Sequence, residues 1–166
     1  MGGSGWEYVT PYEGSVEQSI RALQQKVFDE EFAHGRSPEF FGIPVETYGS
    51  LEELWADEEF MGEIGTHTVI DVYRPIAAGA KLGPHEHYNT IGPLTDERLE
   101  HYFGTTQPTL RQYEEAIDHA HKVMFDYPRT EQVLIDEAEQ RWTARYVVLY
   151  DDGRPTRLGV FGSSGD

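Results

Sequence analysis

At 166 residues, the chain has the length of one globular domain with a single core, and it contains no cysteine for a disulfide, a thiolate metal site or a cysteine nucleophile. Its 30 acidic residues against 13 Lys and Arg give a formal net charge of −17, which disfavours nucleic acid and anionic membranes as partners and favours a basic protein. Such acidity can also serve solvation alone. Because the sequence has no spanning apolar run and no signal-peptide pattern, we expect a cytoplasmic protein with a flexible start over 1–5.

The N-terminal third predicts one strand and two helices. Alternating large apolar and polar residues predict an edge strand over 6–10. Ser15 is the expected N-cap of a helix over 16–32, which places apolar residues at helical spacing. The segment 33–49 mixes Gly and Pro with aromatic residues and predicts a long structured loop. Ser50 then begins a second, acidic helix.

The middle of the chain predicts one strand followed mainly by helices. Thr95 and Thr109 stand where N-caps are expected, and Gly104 stands where a helix should end. The predicted elements, in order, are a strand over 66–73, an irregular excursion over 74–92, helices over 96–103 and 110–124, and a further helical segment over 131–140.

The C-terminal quarter predicts a β-hairpin around which the rest of the fold is organised. Nine residues from Trp142 to Tyr150 are rich in β-branched and aromatic side chains, and the turn-forming pair Asp152-Gly153 follows them. Both faces of this first strand are largely apolar, so we expect it inside a sheet and covered by helices. The order of elements favours an α+β fold, with a mainly antiparallel sheet of four or five strands and helices packed on one side.

Two histidines in the excursion are candidate metal ligands. Gly79, followed by five residues and then His85 and His87, resembles the start of the first metal motif of cupins, in which two imidazoles and a later Glu hold a divalent ion. Ile91 and Gly92 stand where that Glu is expected, and no second motif supplies a third His. Histidines in such a segment are more often solvated loop residues, so both interpretations stay open.

An acidic stretch in the first half carries most of the charge. Between Asp29 and Glu63 there are 11 acidic residues and one Arg, which contribute −10 of the total of −17. Aromatic residues interleave with the acids, which favours binding of a basic protein; the alternative is a solvated helix surface over an aromatic core. The predicted partner-binding residues are Glu30, Glu31, Phe40, Phe41, Glu52, Glu53, Trp55, Asp57 and Glu59.

Four blocks of sequence, spread over most of the chain, carry a resemblance to known proteins. The blocks are Trp6-Glu7-Tyr8-Val9, Gly65-Thr66-His67 with Asp71, Phe103-Gly104-Thr105 with Pro108-Thr109, and Arg145-Tyr146-Val147-Val148 with the Asp-Gly-Arg-Pro turn and the ending Gly165-Asp166. In these blocks the chain resembles an uncharacterised family of small, acidic actinomycete proteins. The resemblance implies no activity and no catalytic residue. In character such proteins are similar to immunity proteins, which neutralise a secreted toxin.

These features favour a non-enzymatic inhibitor of the immunity or antitoxin type, which occludes a basic partner protein such as a toxin that acts on nucleotides. No catalytic residue and no cofactor is predicted, since the chain has neither a phosphate-binding glycine loop nor a nucleophile elbow. One alternative is a small enzyme of specialised metabolism that uses His85, Glu86 and His87, with or without a metal ion. Another is a scaffolding subunit with an exposed apolar patch.

Overall fold

One mixed sheet of five strands forms the centre of the fold. It is seen in a computed structural model, which describes residues 4–32, 48–125, 128–138 and 140–165. The order across the sheet is β1-β5-β4-β3-β2, so the first strand lies at an edge, as predicted. The strands are β1 (Ser4–Pro11), β2 (Arg74–Pro75), β3 (Thr90–Pro93), β4 (Thr143–Asp151) and β5 (Arg154–Ser164).

The sheet is mixed, and the prediction of a mainly antiparallel sheet is wrong. β5 pairs antiparallel with both β1 and β4, but β3 pairs parallel with β4 and with β2. The parallel pairing of β3 and β4 has a simple cause. The chain between these two strands passes through helices and returns in the same direction, as parallel neighbours require.

The helices lie on both faces of the sheet, which corrects the prediction of one face. The α-helices are α1 (Val16–Glu31), α2 (Leu51–Ala56), α3 (Glu58–Glu63), α4 (Asp96–Phe103) and α5 (Leu110–Val123), and two 3-10 helices span Val69–Asp71 and Leu134–Ala138. The first three helices and the first 3-10 helix pack on one face, whereas α4, α5 and the second 3-10 helix pack on the other.

The two-sided core follows from the apolar pattern of β4. Ala144, Tyr146 and Val148 point to the face with α1, and Val147 and Leu149 point to the face with α5, as the alternation along a strand requires. Each face of the sheet is therefore covered by its own layer of helices. A single layer would have left two of the most apolar side chains of the strand in water.

The predicted hairpin and helix caps are confirmed. β4 and β5 are joined through Asp152 and Gly153, which have φ angles of 47° and 73°, as a two-residue turn with two left-handed positions requires. The side-chain oxygens of the predicted N-caps accept hydrogen bonds from backbone N–H groups, and Gly104 ends α4 in the left-handed conformation. The N-caps are Ser15, Ser50, Thr95 and Thr109.

Three other predicted elements differ from the structure. The strand over 66–73 is wrong, because Thr68 caps a 3-10 helix there and Gly65 and His67 have positive φ angles. The excursion over 74–92 contains β2 and the start of β3, and the helix over 131–140 is a shorter 3-10 helix. The predicted loop over 33–49 lies outside the described residues except for its last two positions.

Two glycine variants test the packing of α5 on the sheet. A Cβ atom at Gly159 would lie 2.6 Å from the ring of Tyr113, whereas a Cβ atom at the helical Gly62 meets nothing within 4 Å. We expect Gly159→Ala to lower the free energy of unfolding by about 1–3 kcal/mol through overpacking. Gly62→Ala should instead leave stability unchanged or raise it by up to about 1 kcal/mol. Urea unfolding checks both, and equal effects of the two variants would contradict this packing.

Candidate functional site

The predicted acidic residues that the structure describes lie on one face of the molecule. Glu30 and Glu31 end α1, Glu52 and Glu53 lie in the first turn of α2, and Glu59 lies in the first turn of α3. These three helices share one face of the sheet. Phe40 and Phe41 lie outside the described residues. We call the exposed part of α3, α2 and the end of α1 the acidic surface.

The acidic surface is dense in acids, and Lys26 and Arg21 of α1 lie beside it, in ion pairs with Glu30 and Glu52. Within 29–32 and 48–63 there are nine acidic residues and no Lys or Arg. All of the nine except Asp57 are exposed, and Asp57 is half-buried. The members are Asp29, Glu30, Glu31, Glu52, Glu53, Asp57, Glu58, Glu59 and Glu63.

Three of the predicted contact residues also hold the local structure together. Glu52 forms an ion pair with Arg21 of α1. Glu53 accepts a hydrogen bond from the backbone N–H of Gly49 at 2.7 Å. Asp57 is the N-cap of α3 and accepts a hydrogen bond from the hydroxyl of Tyr48 at 2.7 Å. Substitution of any of these three acids would therefore disturb a helix end or a helix contact as well as the surface charge.

The pKa shifts on this surface have local causes. Backbone N–H donors at the helix starts lower the pKa of the Glu52 and Asp57 carboxyl groups, with further lowering from Arg21 beside Glu52 and from Tyr48 beside Asp57. Partial burial, with a smaller contribution from the charge of Glu30, raises the pKa of Glu31. The acids at the helix starts are therefore ionised over a wider pH range than the acid at the end of α1.

Trp55 is the wall of a cleft and not a free aromatic anchor. Its indole N–H donates a hydrogen bond of 2.9 Å to the carbonyl of Ile70. The guanidinium of Arg21 lies 4.8 Å from the centre of the indole ring, and the ring of Tyr73 lies at 5.6 Å. The predicted role of Trp55 in partner binding stays a prediction, with the exposed part of the ring and the neighbouring cleft as the place of contact.

The cleft beside Trp55 lies between α1, α2 and the β2 edge of the sheet. It has a volume of about 400 Å³. The polar side chains at the cleft are Glu17, Arg21 and Gln24, and Arg21 links the cleft to Glu52 of the acidic surface. Its apolar lining includes Val16, Ile20, Trp55, Tyr73, Ile76 and Tyr146. We call this feature the Trp55 cleft.

Two buried polar side chains fix the wall of the Trp55 cleft. The amide of Gln24 donates hydrogen bonds to the carbonyls of Val69 at 3.3 Å and Val72 at 3.0 Å. Asp71, which is fully buried, accepts hydrogen bonds on one oxygen from the backbone N–H of Thr66 at 2.7 Å and from its hydroxyl at 2.8 Å. These bonds orient the first 3-10 helix so that the carbonyls of Val69 and Val72 face the Gln24 amide. Val72 and Tyr73, which follow the helix, then line the cleft.

The second oxygen of Asp71 is held by the C-terminal strand. The hydroxyl of Ser164 donates a hydrogen bond to it at 2.7 Å, and the indole N–H of Trp6 donates to that hydroxyl oxygen at 2.9 Å. Burial raises the pKa of the Asp71 carboxyl, and the hydrogen bonds from Ser164 and Thr66 oppose this shift. We call Asp71, Thr66, Ser164 and Trp6 the Asp71 network. A lone Asp inside the apolar run Val-Ile-Asp-Val was the sequence signal for this network.

The candidate metal ligands lie in the turn before β3. His85 is exposed, whereas His87 is half-buried and its ring stacks on Tyr88 with centres 4.6 Å apart. Glu86 accepts a hydrogen bond from the backbone N–H of Gly83 at 2.7 Å, which shapes the turn. In the described part of the chain, no group of three or more His, Asp and Glu side chains is placed to hold a metal ion. A metal at His85 and His87 therefore stays a prediction.

Comparison with known proteins adds no relative. No protein-family model, curated protein or solved structure matches this chain. Within the described ranges, no helix has both the length and the apolar character needed to cross a bilayer.

The buried carboxyl of Asp71 predicts a specific pH dependence. A raised pKa means that its contribution to stability is fully present below the pKa of the unfolded chain, about 4, and is lost as pH rises through the folded-state pKa. The Asp71→Asn variant lacks this titration. We expect its free energy of unfolding, relative to the wild type, to increase as the pH is raised from about 4 to about 7.

Asp57→Asn is the matched control for that experiment. The lowered pKa of Asp57 contributes stability that is present above the unfolded-state pKa, about 4, and is lost as pH falls through the folded-state pKa. The stability of Asp57→Asn relative to the wild type should therefore stay nearly constant from about pH 4 to about 7 and rise only as the pH falls below about 4. Urea unfolding followed by circular dichroism measures both differences. A stability difference for Asp71→Asn that does not change with pH would contradict the assignment of a raised pKa.

Proposed function

We propose that this chain is a non-enzymatic binding protein of the immunity type, which occludes a basic partner protein. The observation that carries the proposal is the acidic surface: nine acidic residues on one face of the sheet, of which Glu30 and Glu52 form ion pairs with Lys26 and Arg21 of α1. Such a surface attracts a basic protein over a distance comparable to the Debye length, about 10 Å at 0.1 M salt. It repels nucleic acid and anionic membranes, which we do not expect as partners.

The Trp55 cleft supplies the apolar contact area that the acidic surface lacks. Exposed acids speed encounter and select a basic partner, but most of the lasting contact energy of an interface comes from apolar and aromatic groups that exclude water. The cleft is connected to the acidic surface by the ion pair of Arg21 with Glu52. We propose that a basic segment of the partner lies on the acidic surface and inserts one apolar side chain into the cleft.

The proposed mechanism is steric and electrostatic. A toxin that acts on a nucleotide substrate needs a basic cleft to bind phosphate, and the acidic surface would occupy that cleft in place of the substrate. The resemblance to small acidic actinomycete proteins agrees with this reading in character only. No bond is made or broken on this chain in the proposed mechanism, so neither a cofactor nor a catalytic residue takes part.

A second candidate function is supported by the size of the Trp55 cleft. A volume of about 400 Å³ falls within the range of small-molecule sites, and a mainly apolar lining with three polar side chains is typical of them. In that case the acidic surface would serve solvation, and an apolar ligand would bind in the cleft. The two functions can be separated by a change in surface charge. Charge reversal on α3 should weaken binding of a basic protein and leave binding of an apolar ligand in the cleft unchanged.

Charge reversal on α3 tests the main proposal. Glu58 and Glu59 are exposed and make no ion pair with another described residue, so Glu58→Lys/Glu59→Lys changes the surface charge by +4 without removing a cap. We expect association with a captured basic partner to slow about tenfold or more at low salt, with a weaker dependence on salt. Stopped-flow or surface-based association rates measure this.

The double variant Asp96→Lys/Glu97→Lys is the matched control. These two acids occupy the first turn of α4, so the charge change and the helix position are the same, but they lie on the opposite face of the sheet. The control should slow association much less than the α3 variant does. Equal slowing by both variants would show that only net charge matters and would contradict a defined acidic surface.

Filling the Trp55 cleft separates its role from that of charge. Val16 is half-buried at the start of α1 and lines the cleft, so Val16→Trp should block it without changing any charge. We expect the partner to dissociate at least about tenfold faster while its association rate stays close to that of the wild type. An unchanged dissociation rate would show that the cleft is not part of the interface. Loss of binding of an apolar small molecule, with partner binding intact, would favour the second candidate function.

A further inference from the structure

A small cavity lined by charged side chains lies on the face of the sheet opposite the acidic surface. It has a volume of about 100 Å³ and lies between the turn at 77–80, the end of β3 and the start of α4. The charged side chains that line it are Arg98 of α4, Glu137 of the second 3-10 helix and Arg145 of β4. Two cations and one anion therefore meet in this cavity, although the chain as a whole has a charge of −17.

The carboxylate of Glu137 is already engaged by Arg98. It forms an ion pair with Arg98, whose Nε donates a hydrogen bond of 2.7 Å to Oε1 of Glu137. The same oxygen accepts hydrogen bonds from the hydroxyl of Tyr102 at 2.8 Å and from the amide of Gln132 at 3.3 Å. Glu137 is thus a well-occupied acceptor, and it is not within ion-pair distance of Arg145.

Arg145 is a half-buried cation without a close counterion in the described part of the chain. Its one hydrogen bond there runs from Nη1 to the backbone carbonyl of Ala144, at 3.1 Å. A guanidinium has five N–H donors, and burial removes the water that would otherwise satisfy them. Burial lowers the pKa of Arg145, and the more distant charge of Glu137 opposes this shift only in part. An anion in the cavity would relieve that cost.

We propose that the cavity binds a small oxyanion, namely a carboxylate group, through the guanidinium groups of Arg145 and Arg98. The planar fork of an arginine matches the two oxygens of a carboxylate, and charge-assisted bonds of this kind are the strongest hydrogen bonds that side chains make. A water molecule needs about 10–15 Å³ of such a cavity, so a volume of about 100 Å³ has room for a carboxylate group. This site is independent of the proposed protein partner.

Arginine side-chain NMR tests the site directly. The probe is sodium acetate, titrated against sodium chloride at constant ionic strength while the Nε–H resonances of the arginines are followed. We expect the resonance of Arg145 to shift with saturation at a dissociation constant of about 1–10 mM. The exposed Arg154 and Arg157 serve as internal controls and should show no saturation. A shift of Arg145 that runs parallel to those of the two exposed arginines would overturn the proposal.

Four variants make the result specific. Arg145→Gln should weaken acetate binding at least about tenfold, and Arg145→Lys, which keeps the charge but loses the fork, should weaken it less. Glu137→Gln removes the competing negative charge and should strengthen binding severalfold. Arg154→Gln is the matched control and should leave the affinity unchanged. Acetate affinity that persists in Arg145→Gln, or that falls in Glu137→Gln, would overturn the assignment.

The source of the carboxylate is found with two further probes. A short acetylated peptide with a free C-terminal carboxylate is compared with the same peptide as its C-terminal amide. Binding of the acid but not of the amide identifies a polypeptide C-terminus as a ligand that the cavity admits. Binding of acetate alone identifies a free small carboxylic acid as the ligand. Binding of the amide as tightly as the acid would overturn recognition of a carboxylate.

Discussion

The fold depends on one buried carboxyl group. Asp71 is fully buried, and a carboxyl group is tolerated in such a place only when hydrogen-bonding partners surround it. Thr66 supplies two of these partners and Ser164 the third, while Trp6 binds the same serine hydroxyl. The Asp71 network therefore joins the first strand, the last strand and a segment from the middle of the chain. Loss of any member leaves a buried polar group without its partner, which costs about 1–3 kcal/mol.

This network also positions the candidate site. The first 3-10 helix is held against β5 by Asp71 and against α1 by the amide of Gln24. The wall of the Trp55 cleft follows from that placement, because Val72 and Tyr73 come directly after the helix. α2 packs against the same wall through the hydrogen bond of Trp55 to Ile70, and α2 and α3 carry most of the acidic surface. The two faces of the sheet thus have different chemistry: acids and an apolar cleft on one, and the arginine cavity on the other.

Local patterns in the sequence predict much of this fold, and long-range geometry does not follow from them. The caps at Ser15 and Thr109 and the Asp152-Gly153 turn are read correctly because each depends on neighbouring residues alone. The segment around Asp71 has the β-propensity of a strand. Hydrogen bonds override that propensity, because side chains of the segment bond to its own backbone and to residues distant in sequence. The parallel pairing of β3 could not be predicted from the sequence, because this strand has only four residues and they do not alternate between apolar and polar. Likewise, the acidic stretch was visible in the sequence, whereas the neighbouring cleft depends on residues from both ends of the chain.

The central claim is that the acidic surface and the Trp55 cleft form one interface for a basic protein. Amide hydrogen exchange of the intact chain, alone and in complex with the basic protein that it captures from the lysate of its source cells, tests this most directly. We expect slower exchange in the complex over α2, α3 and the segment from Val72 to Ile76, with unchanged exchange over α4 and α5. Slower exchange confined to α4 and α5, or no basic protein retained at low salt, would contradict it.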